Sequence, residues 1–130
     1  MELRVGIKGS ASCTVCPENT AAAVGSGALA VFSTPSMVAL MEKAALESVG
    51  PCLEDGMTTV GIKLDIAHLA ATPLNMEVRA ESELVAIDGK MLSFEVRAYA
   101  GEELIGEGTH RRCIVNAERF MARTEAKAAK

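Results

Sequence analysis

The chain has 130 residues, 49% of them hydrophobic and only 3% aromatic, with a formal net charge of −4 at pH 7. That length supports one domain with a real core but not two, and the core must be assembled from Val, Ile, Leu, Met and Ala. The acidic balance, without a Lys/Arg run or a basic patch interleaved with aromatics, argues against a nucleic-acid partner. No stretch approaches the roughly 18 consecutive apolar residues of a membrane span. The opening MELRVGIKGS lacks the layout of a signal peptide, so a cytoplasmic protein without a membrane partner is expected.

In chain order, Leu3, Val5 and Ile7 alternate with Glu2, Arg4 and Lys8, the period-two pattern of a half-buried strand. A bend at Gly9 and Ser10 then leads to a second extended piece from Ser12 to Cys16. From Pro17 to Ser33 the sequence is rich in Ala, Gly, Ser and Asn without a firm period, and reads as a loop or a loosely helical lid. One long helix is predicted over TPSMVALMEKAALESVG, with Thr34 as N-cap, Pro35 at the first helical position and Gly50-Pro51 as the stop. At about 100° per residue, Ser36, Lys43 and Glu47 share one narrow sector, while Met37, Val38, Ala39, Met41, Ala44, Ala45, Leu46 and Val49 fill most of the rest. A helix this apolar is expected to be wrapped by the remainder of the chain.

Glu42 falls inside that apolar arc, between Val38 and Val49 on one side and Ala39 and Leu46 on the other. A lone carboxylate is expensive to bury, so it is either kept for chemistry or held structurally, by the backbone or at a subunit interface. The helix alone leaves both readings open.

Beyond a turn at Glu54-Asp55-Gly56, Val60, Ile62, Leu64, Ile66 and His68 occupy alternate positions and define the apolar face of a strand, with His68 at its end. A strand from Met76 to Ile87 follows, then the hairpin signal Asp88-Gly89, a strand through Leu92, Phe94, Val96 and Ala98, a turn at Gly101-Glu102 and a last strand from Glu103 to Asn116. On that last strand Gly106, Gly108 and His110 share a face, which predicts close approach of another backbone, most simply that of the helix. The residues from Glu118 read as a frayed helix or disorder. Cys13 and Cys16 form a C-x-x-C pair without a second pair at metal-binding spacing; with His68 and His110 they combine only on paper into a Cys₂His₂ set, so all four cysteines are read as reduced, small hydrophobes.

A strand, a helix and a meander of at least four strands predict an α+β domain over residues 1–120, one long helix against an antiparallel sheet in the layout of a hotdog fold, followed by a charged tail over 121–130.

The runs VFSTPSMVALMEKAALESVGPCLEDG, VGIKLDIAHLAATP and IGEGTHRRCIV together resemble the fluoroacetyl-CoA thioesterase family of hotdog proteins, from Val31 to about Phe120. The resemblance implies hydrolysis of a small acyl-CoA thioester to free acid and coenzyme A. Thr34, Glu42 and His68 would form the catalytic group at the interface of a homodimer, and Gly61 and Arg112 would lie at the substrate. It implies no metal and no cofactor, coenzyme A taking part only as a portion of the substrate. The family's fluoroacetate-specific member carries phenylalanines on a lid over the acyl pocket. The corresponding positions here are Gly25 and Ala28, so the reaction is expected without the fluoroacetyl preference, in a differently shaped or more open pocket.

The chemistry that follows has Glu42 as general base or as nucleophile, His68 orienting it and protonating the leaving thiolate, and Thr34 bonding Glu42 or the oxyanion. A backbone N–H near Gly61 or at the helix N-terminus would supply the oxyanion site, and Arg112 would pair with a coenzyme A phosphate or brace the site. Two rival readings are a hotdog protein that binds an acyl thioester or another small ligand without turning it over, and a zinc or redox module built on Cys13 and Cys16.

Overall fold

A computed structural model describes residues 2–129; Met1 and Lys130, the outer ends of the two predicted segments, lie outside the described residues. Five strands, β1 (Lys8–Thr14), β2 (Met57–His68), β3 (Glu77–Asp88), β4 (Met91–Ala100) and β5 (Glu103–Asn116), form one antiparallel sheet in the order β1-β3-β4-β5-β2. A short helix, α1 (Ala21–Val24), lies in the lid, α2 (Thr34–Val49) crosses the sheet, and α3 (Ala117–Ala126) closes the chain. Val78, Ala80, Leu84, Leu92, Phe94, Val96 and Ala98 form the sheet's buried face and receive Met37, Met41, Ala44, Ala45 and Val49 of α2. The alternation that predicted β3 and β4 is thus the alternation that buries one side of them.

The first strand differs from expectation. Leu3 to Ile7 precede it; Gly6 turns the chain at φ +102° and Val5 is exposed. Extended structure begins at Lys8, where pairing with Glu83 of β3 becomes available, and runs through Gly9 and Ser10 without a bend. Gly9 is there for space rather than for turning. A Cβ on it would strike the Ala44 carbonyl oxygen of α2 and stand 2.6 Å from Ser48 Cβ.

On β5 the glycines split their duty. Gly106 admits Met37 of α2, whose Sδ would lie 2.5 Å from an added Cβ, whereas Gly108 admits the backbone of Asp65 on β2. The predicted close approach is therefore made by a helix side chain at one glycine and by a neighbouring strand at the other. The C-terminal stretch is an ordered helix, its first turn capped by Asn116, whose Oδ1 accepts from Arg119 N–H at 3.0 Å.

β2 is an edge strand, and its register with β5 slips between Gly61 and Lys63. Ile62 is the extra residue of this bulge. Residues opposite each other in a ladder share a face, so Gly61 faces inward with Arg112, Leu64 with His110, Ile66 with Gly108 and His68 with Gly106. The regular alternation read from Val60 to His68 crosses this break: Leu64, Ile66 and His68 are on the predicted face, while Val60 and Ile62 are on the other. Nor is α2 fully covered, because Ala39, Leu46 and part of Val38 remain accessible, and on β2 Ile62 and Leu64 are exposed. Among the described residues no helix is long and apolar enough to cross a membrane.

Replacing Gly9 by Ala should force α2 away from β1 at a cost of about 1–3 kcal/mol, the usual range for overpacking. A urea titration should show a lower midpoint with an unchanged slope.

Candidate active site

The start of α2 assigns its two hydroxyls differently from the prediction. Ser33 is the N-cap, its Oγ accepting from Ser36 N–H at 3.2 Å, and Thr34 is already helical. Capping by Ser33 leaves the Thr34 hydroxyl free, and it bonds His68 Nδ1 at 2.7 Å. His68 is carried there by the end of β2. Burial pushes its imidazole pKa below the ordinary value, against an opposing pull from the backbone of Ala70. Its Nε2 is buried without a partner.

Two turns further along α2, Glu42 meets a second cluster. Its Oε2 lies 3.7 Å from Arg112 Nη1, and an added Cβ on Gly61 would sit 2.5 Å from that same oxygen. Gly61 is therefore what lets the carboxylate lie against β2. Arg112 is only 5% exposed, contrary to a solvated strand residue. Its Nε donates to Thr59 Oγ1 at 2.7 Å, its Nη2 to the Thr59 carbonyl at 2.9 Å, and its Nη1 to His110 Nε2 at 3.1 Å. Burial lowers the guanidinium pKa while Glu42 supports the charge.

His110 and Thr59 were not singled out as site residues from the sequence. The signal for His110 was its place on the glycine face of β5; Thr59 carried none. An arginine can only donate, so His110 Nε2 is an acceptor and Nδ1 holds the proton it gives to the Lys63 carbonyl at 2.9 Å. Burial pushes the pKa of this imidazole below its ordinary value, Arg112 adding to the effect against the Lys63 carbonyl and Glu42.

The structure thus brings Thr34 to His68, and Glu42 to Gly61 and Arg112, but among the described residues no hydrogen bond or ion pair joins the two groups. Eight residues of helix separate Thr34 from Glu42, about 12 Å of rise. A depression of about 360 Å³ opens beside the first group, walled by Thr34, His68, Phe32 and Ala70 and by Ala21 and Ser26 of the lid. Gly25, which ends α1 at φ +88°, and Ala28 are exposed and do not line it.

The cysteines stand apart from both groups. All four are free thiols, and burial, reinforced by Cys16, raises the Cys13 thiol pKa. Among the described residues no group of three or more His, Cys, Asp or Glu side chains could hold a metal ion.

A carboxylate midway along a helix that lies on a five-stranded antiparallel sheet, with a Thr-His pair at the helix start, marks the chain as a hotdog-fold thioesterase. The profile of the fluoroacetyl-CoA-specific thioesterases matches residues 15–118, and the chain belongs to that family. The fluoroacetyl-CoA thioesterase of Streptantibioticus cattleyicolor is 39% identical over 97 residues, 75% of this chain and 70% of that protein. A crystal structure of the fluoroacetyl-CoA thioesterase FlK is similar with a TM-score of 0.90 at 33% identity, covering 98% of each chain. That of an FlK variant in complex with fluoroacetate and CoA gives 0.85 at 35% identity, over 91% of this chain and 99% of that one. A thioesterase superfamily member from Thermus thermophilus gives 0.85 at 27% identity, over 98% and 97%.

Both imidazoles lie below the ordinary histidine value of 6.5 in the folded chain, so just below that value the unfolded chain binds more protons. Stability should fall as pH drops through that window and be fully present above it. Urea midpoints measured between pH 7.5 and 5.5 check this, and His110→Gln, which puts a non-titrating amide in place of the imidazole, should flatten the slope.

Proposed function

We propose that the chain hydrolyses a small acyl-CoA thioester to free acid and coenzyme A, in a site completed by a second copy of itself. The observation that carries the reading is the pair of polar clusters on one helix, one around Thr34 and His68 and one around Glu42 and Arg112, set too far apart to act on one carbonyl within a single chain. An edge strand that carries the exposed apolar side chains Ile62 and Leu64 suits pairing with a second copy. Two-fold antiparallel pairing about the middle of β2 sets Gly61 about 13 Å along the strand from the partner's His68, against about 23 Å from its own. Glu42 of one copy would then face Thr34 and His68 of the other.

In that site Glu42 delivers the attacking oxygen, either its own or that of a water it deprotonates. Arg112, braced by Thr59 and His110, fixes the carboxylate; it acts as a brace rather than as a phosphate ligand because its guanidinium faces inward. Of the first-turn N–H groups of α2, Pro35 has none, that of Ser36 goes to Ser33 Oγ and that of Met37 to the Ser33 carbonyl. Thr34 N–H is the one left for the oxyanion, together with backbone released by the bulge after Gly61. With Thr34 O–H donating to Nδ1, His68 carries its proton on Nε2 and offers it to the sulfur as the C–S bond breaks. An alkanethiolate is a good leaving group and, once given that proton, departs with little further help. The small residues at the lid, Ala21 and Ser26, leave the acyl pocket open and favour acyl groups other than fluoroacetyl.

Thiol release from a panel of short, branched and aromatic acyl-CoA thioesters should show turnover that falls by about 10²-fold or more in Glu42→Gln and in His68→Ala. Gly61→Ala, which displaces the carboxylate, should cost about 10²-fold with little change in stability. Turnover by none of the panel in a folded protein would favour a binding protein. Mixing Glu42→Gln with His68→Ala should restore up to about a quarter of wild-type activity, since half of randomly reassorted dimers are mixed and each holds one intact site. A site contained within one chain would give no restoration.

A further inference from the structure

At the opposite end of β2 from His68, where α3 leaves the sheet, lies a groove of about 740 Å³. Its walls carry Lys90, from the turn between β3 and β4, and Arg119 and Arg123, which are four residues apart and so on one face of α3. Its floor is apolar, with Met57 and Val115. No carboxylate lines the groove, and among the described residues none of the three cations has an ion-pair partner. In a chain with 17 acidic and 13 basic side chains, three unneutralised cations converging over an apolar floor form a local anion site against the charge of the whole.

We propose that this groove holds the phosphates of the coenzyme A portion of the substrate, with the adenine on the apolar floor, for a thioester whose acyl end lies in the partner's Thr34–His68 depression. The inference rests on the acyl-CoA and dimer readings given above. Within one copy the eleven steps from Met57 to His68 span about 36 Å, longer than a pantetheine arm reaches. Antiparallel two-fold pairing of β2 removes that distance, because the Met57 end of one strand then lies beside the His68 end of the other. Each substrate molecule would be held by its nucleotide in one copy and hydrolysed against His68 of the other. Two arginines and a lysine offset most of the negative charge of a 3′-phosphate and a diphosphate, and the guanidinium forks suit phosphate oxygens.

The test is steady-state hydrolysis of an acyl-CoA and of the corresponding acyl-N-acetylcysteamine thioester, which lacks the nucleotide, by wild type and by Arg119→Ala/Arg123→Ala. For the CoA ester, KM should rise about tenfold or more with kcat unchanged and with weaker dependence on salt; for the truncated ester neither should move. Lys90→Ala should act in the same direction. Calorimetry with adenosine 3′,5′-bisphosphate reads the groove without turnover: wild type should bind it more tightly than inorganic phosphate and the double variant should not. A KM and a bisphosphate affinity that are both unchanged in the variant would overturn the proposal while wild-type turnover upheld the thioesterase reading. Equal affinity for inorganic phosphate and the bisphosphate would also overturn it, as the mark of a free-phosphate site. Should wild type turn over no acyl-CoA, the thioesterase reading fails by itself, and titration with CoA still decides the groove: weaker binding in the variant supports it and equal binding overturns it.

Discussion

A guanidinium held inside the sheet is what makes a carboxylate tolerable in the apolar arc of α2. Arg112 is positioned before it meets Glu42, by Thr59 through two hydrogen bonds and by His110 through a third. His110 in turn is fixed by the Lys63 carbonyl, so a chain of bonds runs from β2 through β5 to the helix. Of the pair it is Arg112 that is buried, Glu42 keeping 35% of its side chain exposed, and the network spreads the compensation of the guanidinium charge over groups that are themselves satisfied. Gly61 completes the arrangement from the other side by offering no side chain where the carboxylate lies.

The same helix serves a second cluster by a different device. Capping is taken over by Ser33, so the hydroxyl of Thr34 is available to His68 and the first turn is stabilised without it. The helix cap and the bond to His68 are thus carried by adjacent residues. Dividing the polar groups between two places on one rigid element leaves His68 held through Nδ1 alone, with Nε2 buried and without a hydrogen-bond partner.

Much of this was legible in the sequence, and for stated reasons. β3 as far as Leu84 and β4 alternate cleanly because one face of each is buried there, and the helix announced itself through Pro35, Gly50 and an apolar arc interrupted by Glu42. Glu42 and His68 could be picked out because each sits where its chemistry is out of place. Thr59 and His110 could not be given a place, since what joins them to the Glu42 cluster is a cross-strand relation to Arg112, and period-two reading does not see across strands. The N-cap was displaced by one residue because Ser33 and Thr34 are equally good caps by type; only the competing bond to His68 separates them. The first strand was misplaced because alternation in Leu3, Val5 and Ile7 carries no information about whether a partner strand is beside it.

The bulge at Ile62 has the effect of a parity change within one strand. Before it, odd-numbered residues of β2 face the helix, Thr59 and Gly61 among them; after it, even-numbered ones do, ending with His68. A uniformly pleated strand would have to choose between presenting Gly61 to Glu42 and presenting His68 to Thr34. One inserted residue lets a single strand serve both halves of the site, so the spacing between them is counted in residues that can be neither added nor removed singly without turning one half to the outside.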